Sequence, residues 1–82
     1  MSNEGLELQL LTRLQSMDAL SQRGLTAEIG DAGGVVIYYS RHARGIWHHD
    51  KARFRYTPAG YGVPTHQAET VEDAVRITLA LI

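Results

Sequence analysis

The stretch that decides the fold is LTAEIGDAGGVVIYYSRHARGIWHHDKARFRYT, residues 25–57. Within it, LTAEI alternates apolar and polar residues at Leu25, Ala27 and Ile29, GDAGG supplies turn residues, and VVIYYS is a β-branched and aromatic run. That succession reads as a β-hairpin. A second turn near HARG leads into IWHHD, and DKA then leads into RFRYT. Connections this short join antiparallel neighbours and leave no room for a crossover helix, so the segment is a meander.

Helical periodicity flanks it on both sides. Leu6, Leu10, Leu14, Met17 and Leu20 recur every three or four residues, the spacing of one helix face. The pattern predicts one N-terminal helix, capped by Ser2 or Asn3 and stopped at Gly24, with Leu8 and Leu11 widening its buried face. After the sheet, TPAGYGVPTHQAE carries both prolines and is the longest irregular stretch, although THQAE suits a brief pairing at a sheet edge. Thr70 to Asp73 is a capping-box variant, and Val71, Ala74, Val75, Thr78 and Ile82 share one face of a C-terminal helix. The expected fold is therefore α+β: one domain over residues 1–82, a two-layer sandwich with an N-terminal helix, a three- or four-stranded antiparallel meander and a C-terminal helix. Both helices are expected on one sheet face.

Composition sets the limits around this reading. With 82 residues, 44% hydrophobic and only 2 Pro, the chain has a core to bury and falls outside the disordered classes. A chain of this size buries roughly 60–65% of its unfolded surface, so packing must hold it with little margin. The absence of Cys excludes disulfides, thiolate metal sites and cysteine nucleophiles. No basic, apolar and small-residue leader opens the sequence and no apolar run approaches the ~20 residues of a membrane span, so a cytoplasmic location is expected.

The formal net charge of −1 hides a segregation. Residues 1–40 carry Arg13 and Arg23 against Glu4, Glu7, Asp18, Glu28 and Asp31, and residues 57–82 carry Arg76 against Glu69, Glu72 and Asp73. Between them, residues 41–56 hold Arg41, Arg44, Lys51, Arg53 and Arg55 against Asp50 alone. That segment also contains three of the four His and half of the aromatic residues. Electrostatic recognition, if the chain has any, is expected there.

Strand parity then assigns the side chains, because successive residues face opposite sides of a sheet. A register with Tyr39 opposite His48 and His48 opposite Phe54 gives one face of Val35, Ile37, Tyr39, Ile46, His48, Phe54 and Tyr56. This set is the more apolar and is assigned to the helices, and an odd-length DAGG turn adds Ile29 to it. The opposite, outer face then displays Tyr38, Trp47, His49, Arg53 and Arg55 beside Val36, a mixture of rings and cations. Such residues are enriched at protein interfaces and equally suit base stacking and phosphate contact.

Other chemistry finds little footing. His42, His48, His49, Asp50 and His66 have no metal-ligand spacing, and neighbouring His48 and His49 point to opposite faces, so no metal is expected. GYG and AGG do not join a strand to a helix as a phosphate-binding loop does. Ser16, Ser21 and Ser40 lack a nucleophile-elbow context, and Glu72 and Asp73 are accounted for by the first turn of a helix. The order of helix, meander and helix is similar to that of double-stranded-RNA-binding domains, whose second helix begins with lysines for phosphate. The matching positions here are Thr70, Val71, Glu72, Asp73 and Ala74, and this acidic start repels RNA. The sequence thus leads to a small non-enzymatic protein, without cofactor, small-molecule substrate or membrane contact. It is expected to bind a protein partner or itself, as a homodimer, through Tyr38, Trp47, His49, Arg53 and Arg55. The alternative is a nucleic-acid-binding module stacking bases on the same rings, with Arg41, Lys51, Arg53 and Arg55 on phosphates.

Overall fold

A computed structural model describes residues 4–31, 33–50 and 52–81. Ser2 and Asn3, Lys51 and Ile82, to which the sequence assigned a cap, a phosphate contact and a helix-face position, lie outside the described residues. The elements follow in the order α1 (Glu4–Gln15), α2 (Asp18–Gln22), β1 (Leu25–Ile29), β2 (Val35–Tyr39), β3 (His42–Asp50), β4 (Arg53–Pro58), β5 (His66–Ala68) and α3 (Val71–Ala80). The strands pair as an antiparallel meander in the spatial order β1-β2-β3-β4-β5, and the helices lie against one face. The layout is the expected α+β sandwich. Its sheet has five strands, because His66–Ala68 does pair along β4, with Ala68 opposite Phe54.

The N-terminal periodicity yields two helices instead of one. The Ser16 hydroxyl donates to the Arg13 carbonyl at 2.9 Å, competing with the backbone ladder, and Met17 adopts an extended conformation. The chain restarts as α2, which returns Leu20 to the core, and Gly24 in the left-handed region ends it. Leu10 and Leu14 are buried and Leu11 is partly buried, whereas Leu8 is 52% exposed and does not widen the core face as expected. At the far end the Thr70 hydroxyl accepts from the Asp73 N–H at 3.1 Å, the capping contact read from the sequence.

The sheet corrects the expected turns. Between β2 and β3 the turn is Ser40–Arg41, both with positive φ (50° and 71°), a two-residue connection that sets Tyr39 opposite His42. HARG is therefore part of a nine-residue β3. Within it the register shifts: Tyr38 faces Ala43, but Ile37 faces Gly45. Arg44 is left over, a β-bulge. Without that extra residue Val35 would face Ile46; with it, Val35 faces Trp47. The bulge exchanges the two faces of β3 from Gly45 onward. Between β1 and β2, Ile29 pairs with Val35 across five residues, the odd count that puts Ile29 on the side of Ile37.

Trp47 is consequently the centre of the core, 0% exposed. Its ring meets Phe54 edge-on at 6.4 Å and Tyr56 at 5.1 Å, and its Nε1 donates to Thr78 Oγ1 at 2.9 Å. Thr78 in turn donates to the Ala74 carbonyl at 2.8 Å, so the indole N–H is satisfied and docks α3 to the sheet. Beside it, buried Glu7 accepts from the Gly34 and His49 backbone N–H groups at 3.0 and 2.9 Å. β2 begins at Val35 while β3 continues to Asp50, so these donors lie beyond the β2 ladder and α1 supplies their acceptor.

Candidate interaction face

The residues chosen from the sequence do not stay together. Tyr38, Arg53 and Arg55 lie on the outer face, as expected. Trp47 and His49 are corrected to the helix side: both are buried, and His49 packs edge-on against Phe54 at 4.8 Å. Ile46 and His48, expected inside, take their places outside, half-buried and exposed respectively. The Arg44 bulge is the cause.

The outer face is thus built from Thr26 and Glu28 on β1, Val36 and Tyr38 on β2, Ile46 and His48 on β3, Arg53, Arg55 and Thr57 on β4, and Gln67 on β5. Among the described residues no element covers it. Val36 and Ile46 are directly opposed across β2 and β3, and both are half-buried like Tyr38. His48 and Ile46 lean over Gly34, where a Cβ would sit 2.8 Å from His48 Cε1 and 2.9 Å from Ile46 Cδ1. Gly34, held at φ 81°, is therefore required both by its turn and by the side chains across it.

At the other side of the patch, Arg55 lies between His48 and Gln67 in the register. Its Nε is buried with no hydrogen-bond partner among the described residues. Arg53 Nη1 donates to Gln67 Oε1 at 2.8 Å on the exposed surface. The face therefore joins an apolar strip to a guanidinium with unused donor capacity, and its charges are of both signs: Arg53 and Arg55 against Glu28 and Asp50.

The basic segment of the sequence is divided by the fold. Arg41 is in the tight turn, Arg44 is turned to the helix side by the bulge, and among the described residues of the segment only Arg53 and Arg55 face outward. Arg44 lies close enough to Tyr56 for its charge to act on the phenol. Burial pushes the Tyr56 pKa above its ordinary 10.0, and the Arg44 charge pulls it part of the way back. No three His, Asp or Glu side chains among the described residues gather into a set fit for a metal ion. No described helix is long and apolar enough to cross a membrane.

Sequence reasoning missed Ile46 and His48 as surface residues and Glu7 and Thr78 as polar anchors of the core. Glu7 stands three residues before Leu10 and seven before Leu14, on the same helix stripe, which was the available signal. For the bulge the signal was Gly45, a glycine inside a strand pattern. No protein-family model, curated protein sequence or solved structure matches the chain.

Proposed function

We propose that this is a non-enzymatic interaction protein that binds a protein surface with its bare sheet face, and that its first partner is a second copy of itself. The observation that carries this reading is the uncovered strip of Val36, Tyr38 and Ile46 beside Arg55, whose buried Nε has no acceptor among the described residues. Interface cores favour aromatic residues and Arg. Charges of both signs on one face suit a twofold pairing, in which Glu28 and Asp50 of one copy meet Arg53 and Arg55 of the other. The nucleic-acid alternative is supported less, because the cations that suggested it are spread over the turn, the helix side and the outer face.

Sedimentation equilibrium of the intact protein and of Ile46→Glu is the test. A concentration-dependent dimer is expected, with Ile46→Glu monomeric and still folded. A monomer up to about 1 mM, together with a salt-dependent shift of a nucleic-acid probe that Arg55→Ala abolishes, replaces this reading with the alternative.

A further inference from the structure

The sandwich has two ends of opposite character. At one end lie the β1–β2 and β3–β4 connections and the start of α3, with Glu28, Asp31, Asp50, Glu69, Glu72 and Asp73. At the other lie the α2–β1 junction, the Ser40–Arg41 turn, the loop after β4 and the last turn of α3. Among the described residues, this second end has Arg23, Arg41, Arg44 and His42, and the carboxylate nearest to them in the sequence is Asp18 at the start of α2. The C-terminal end of α3 contributes only about −0.5 charge. Among the described residues, positive charge is thus gathered at this end.

A cleft opens there. It has a volume of about 360 Å³ and is lined by Arg23, Leu25, Tyr39, Arg44 and Leu81; a smaller recess of about 140 Å³ under Tyr56 and Pro58 continues it past Arg44. Three separate segments of chain supply its walls. Arg44 enters it because the bulge aims its side chain away from the bare sheet face, and bulges are recurrent devices for re-aiming a side chain at a site. Arg23 is steadied by a hydrogen bond from Nη1 to the Ala19 carbonyl at 3.0 Å. The ion pairs among the described residues are Arg13–Glu72 and Arg76–Asp73, and neither cleft arginine takes part in one. Leu25 is buried, Tyr39 and Leu81 are exposed, and the three supply the apolar part of the lining beside the two arginines.

We propose that this cleft binds a small monocarboxylate with an alkyl body, its carboxylate held by Arg23 and Arg44 and its chain laid against Leu25, Tyr39 and Leu81. A carboxylate matches the donor fork of a guanidinium, and the apolar wall rewards a hydrocarbon tail that inorganic anions lack. The volume falls at the lower end of the ~300–1,000 Å³ range of ligand pockets, which fits a short chain. This site is separate from the bare sheet face, and the proposal stands whether or not the protein dimerises.

Titration calorimetry of the intact protein with octanoate tests it, with octanamide and inorganic phosphate as controls. Octanoate should bind one to one, at least about tenfold tighter than either control, and shift the backbone amide resonances of Gly24, Tyr39 and Leu81. Arg23→Gln and Arg44→Gln should each weaken it about tenfold, and Arg41→Gln, at the same end but outside the cleft, should leave it unchanged. Circular dichroism reports whether the bulge variant Arg44→Gln keeps its fold; Arg23→Gln, outside the sheet, makes the same point independently. No binding, equal binding of octanamide or phosphate, or octanoate affinity unmoved by Arg23→Gln would overturn the proposal.

Discussion

The β2–β3 and β3–β4 hairpins are both closed by two residues, yet they keep register differently. β3–β4 pairs without interruption from Asp50 opposite Arg53 to Gly45 opposite Pro58. β2–β3 loses one step at Arg44. The uninterrupted hairpin places residues where simple alternation says they go, so Phe54 and Tyr56 are buried and Arg53 and Arg55 face outward. The interrupted one reverses alternation for the rest of β3, and an indole that alternation alone would leave in water becomes the centre of the core. One extra residue decides what each face of the sheet is for.

The largest way to break this comparison is at its two adjacent residues. Trp47→Ala should cost about 3–5 kcal/mol in chemical denaturation, a large share of the stability of a small domain, since it removes a buried ring and the contact to Thr78. Ile46→Ala, one position away on the bare face, should cost less than about 1 kcal/mol. Equal losses would mean that the bulge does not set the faces.

Next in size is Glu7→Ala. It leaves the Gly34 and His49 N–H groups buried without an acceptor just where β2 stops and β3 continues, and should cost about 2–3 kcal/mol by the same measurement. A loss below about 0.5 kcal/mol would show that water reaches these donors.

Gly45→Ala sharpens the account of the bulge itself. A Cβ at Gly45 would collide with the Tyr56 ring and hydroxyl, so the substitution should destabilise by about 1–3 kcal/mol. In the Tyr56→Ala background most of that penalty should vanish, and a double-mutant cycle reads it directly.

The smallest effects lie at the turn and in alkaline solution. Arg41→Gly should stabilise by about 0.5 kcal/mol, because it relieves a left-handed side-chain residue at some cost in unfolded-state entropy. Tyr56 ionises above its ordinary value of 10.0. Its contribution to stability is therefore complete below about pH 10 and declines as pH rises through the higher folded-state pKa. Tyr56→Phe should flatten that alkaline decline in pH-dependent melting, and an unchanged decline would remove burial of the phenol as its cause.

Much of the fold was legible in the residues. Alternation in LTAEI and VVIYY, the Thr70–Asp73 cap and the helical stripes around Leu10, Leu14, Ala74 and Val75 each depend on local period, and each appears in the structure. What local period does not carry is register between strands. Arg44 has no special propensity for a bulge, and only Gly45 beside it hinted that the pattern would slip. The break at Ser16 likewise turned on one hydroxyl-to-carbonyl bond inside an otherwise continuous stripe. Of the chosen surface residues, Tyr38 precedes the bulge, and Arg53 and Arg55 lie on the expected face because a second expected pairing also slipped by one residue: His49, not His48, stands opposite Phe54, and the two slips cancel on β4. Trp47 and His49 follow the bulge, and moved.

The most direct measurement of that exchange is a nuclear Overhauser spectrum of the lone tryptophan. The bulged register predicts cross-peaks from the Trp47 indole Hε1 to the Thr78 side chain of α3, and from the Trp47 ring to Phe54 and Tyr56. Cross-peaks from that indole to Tyr38 and Val36, with none to Thr78, would put Trp47 on the bare face and contradict it.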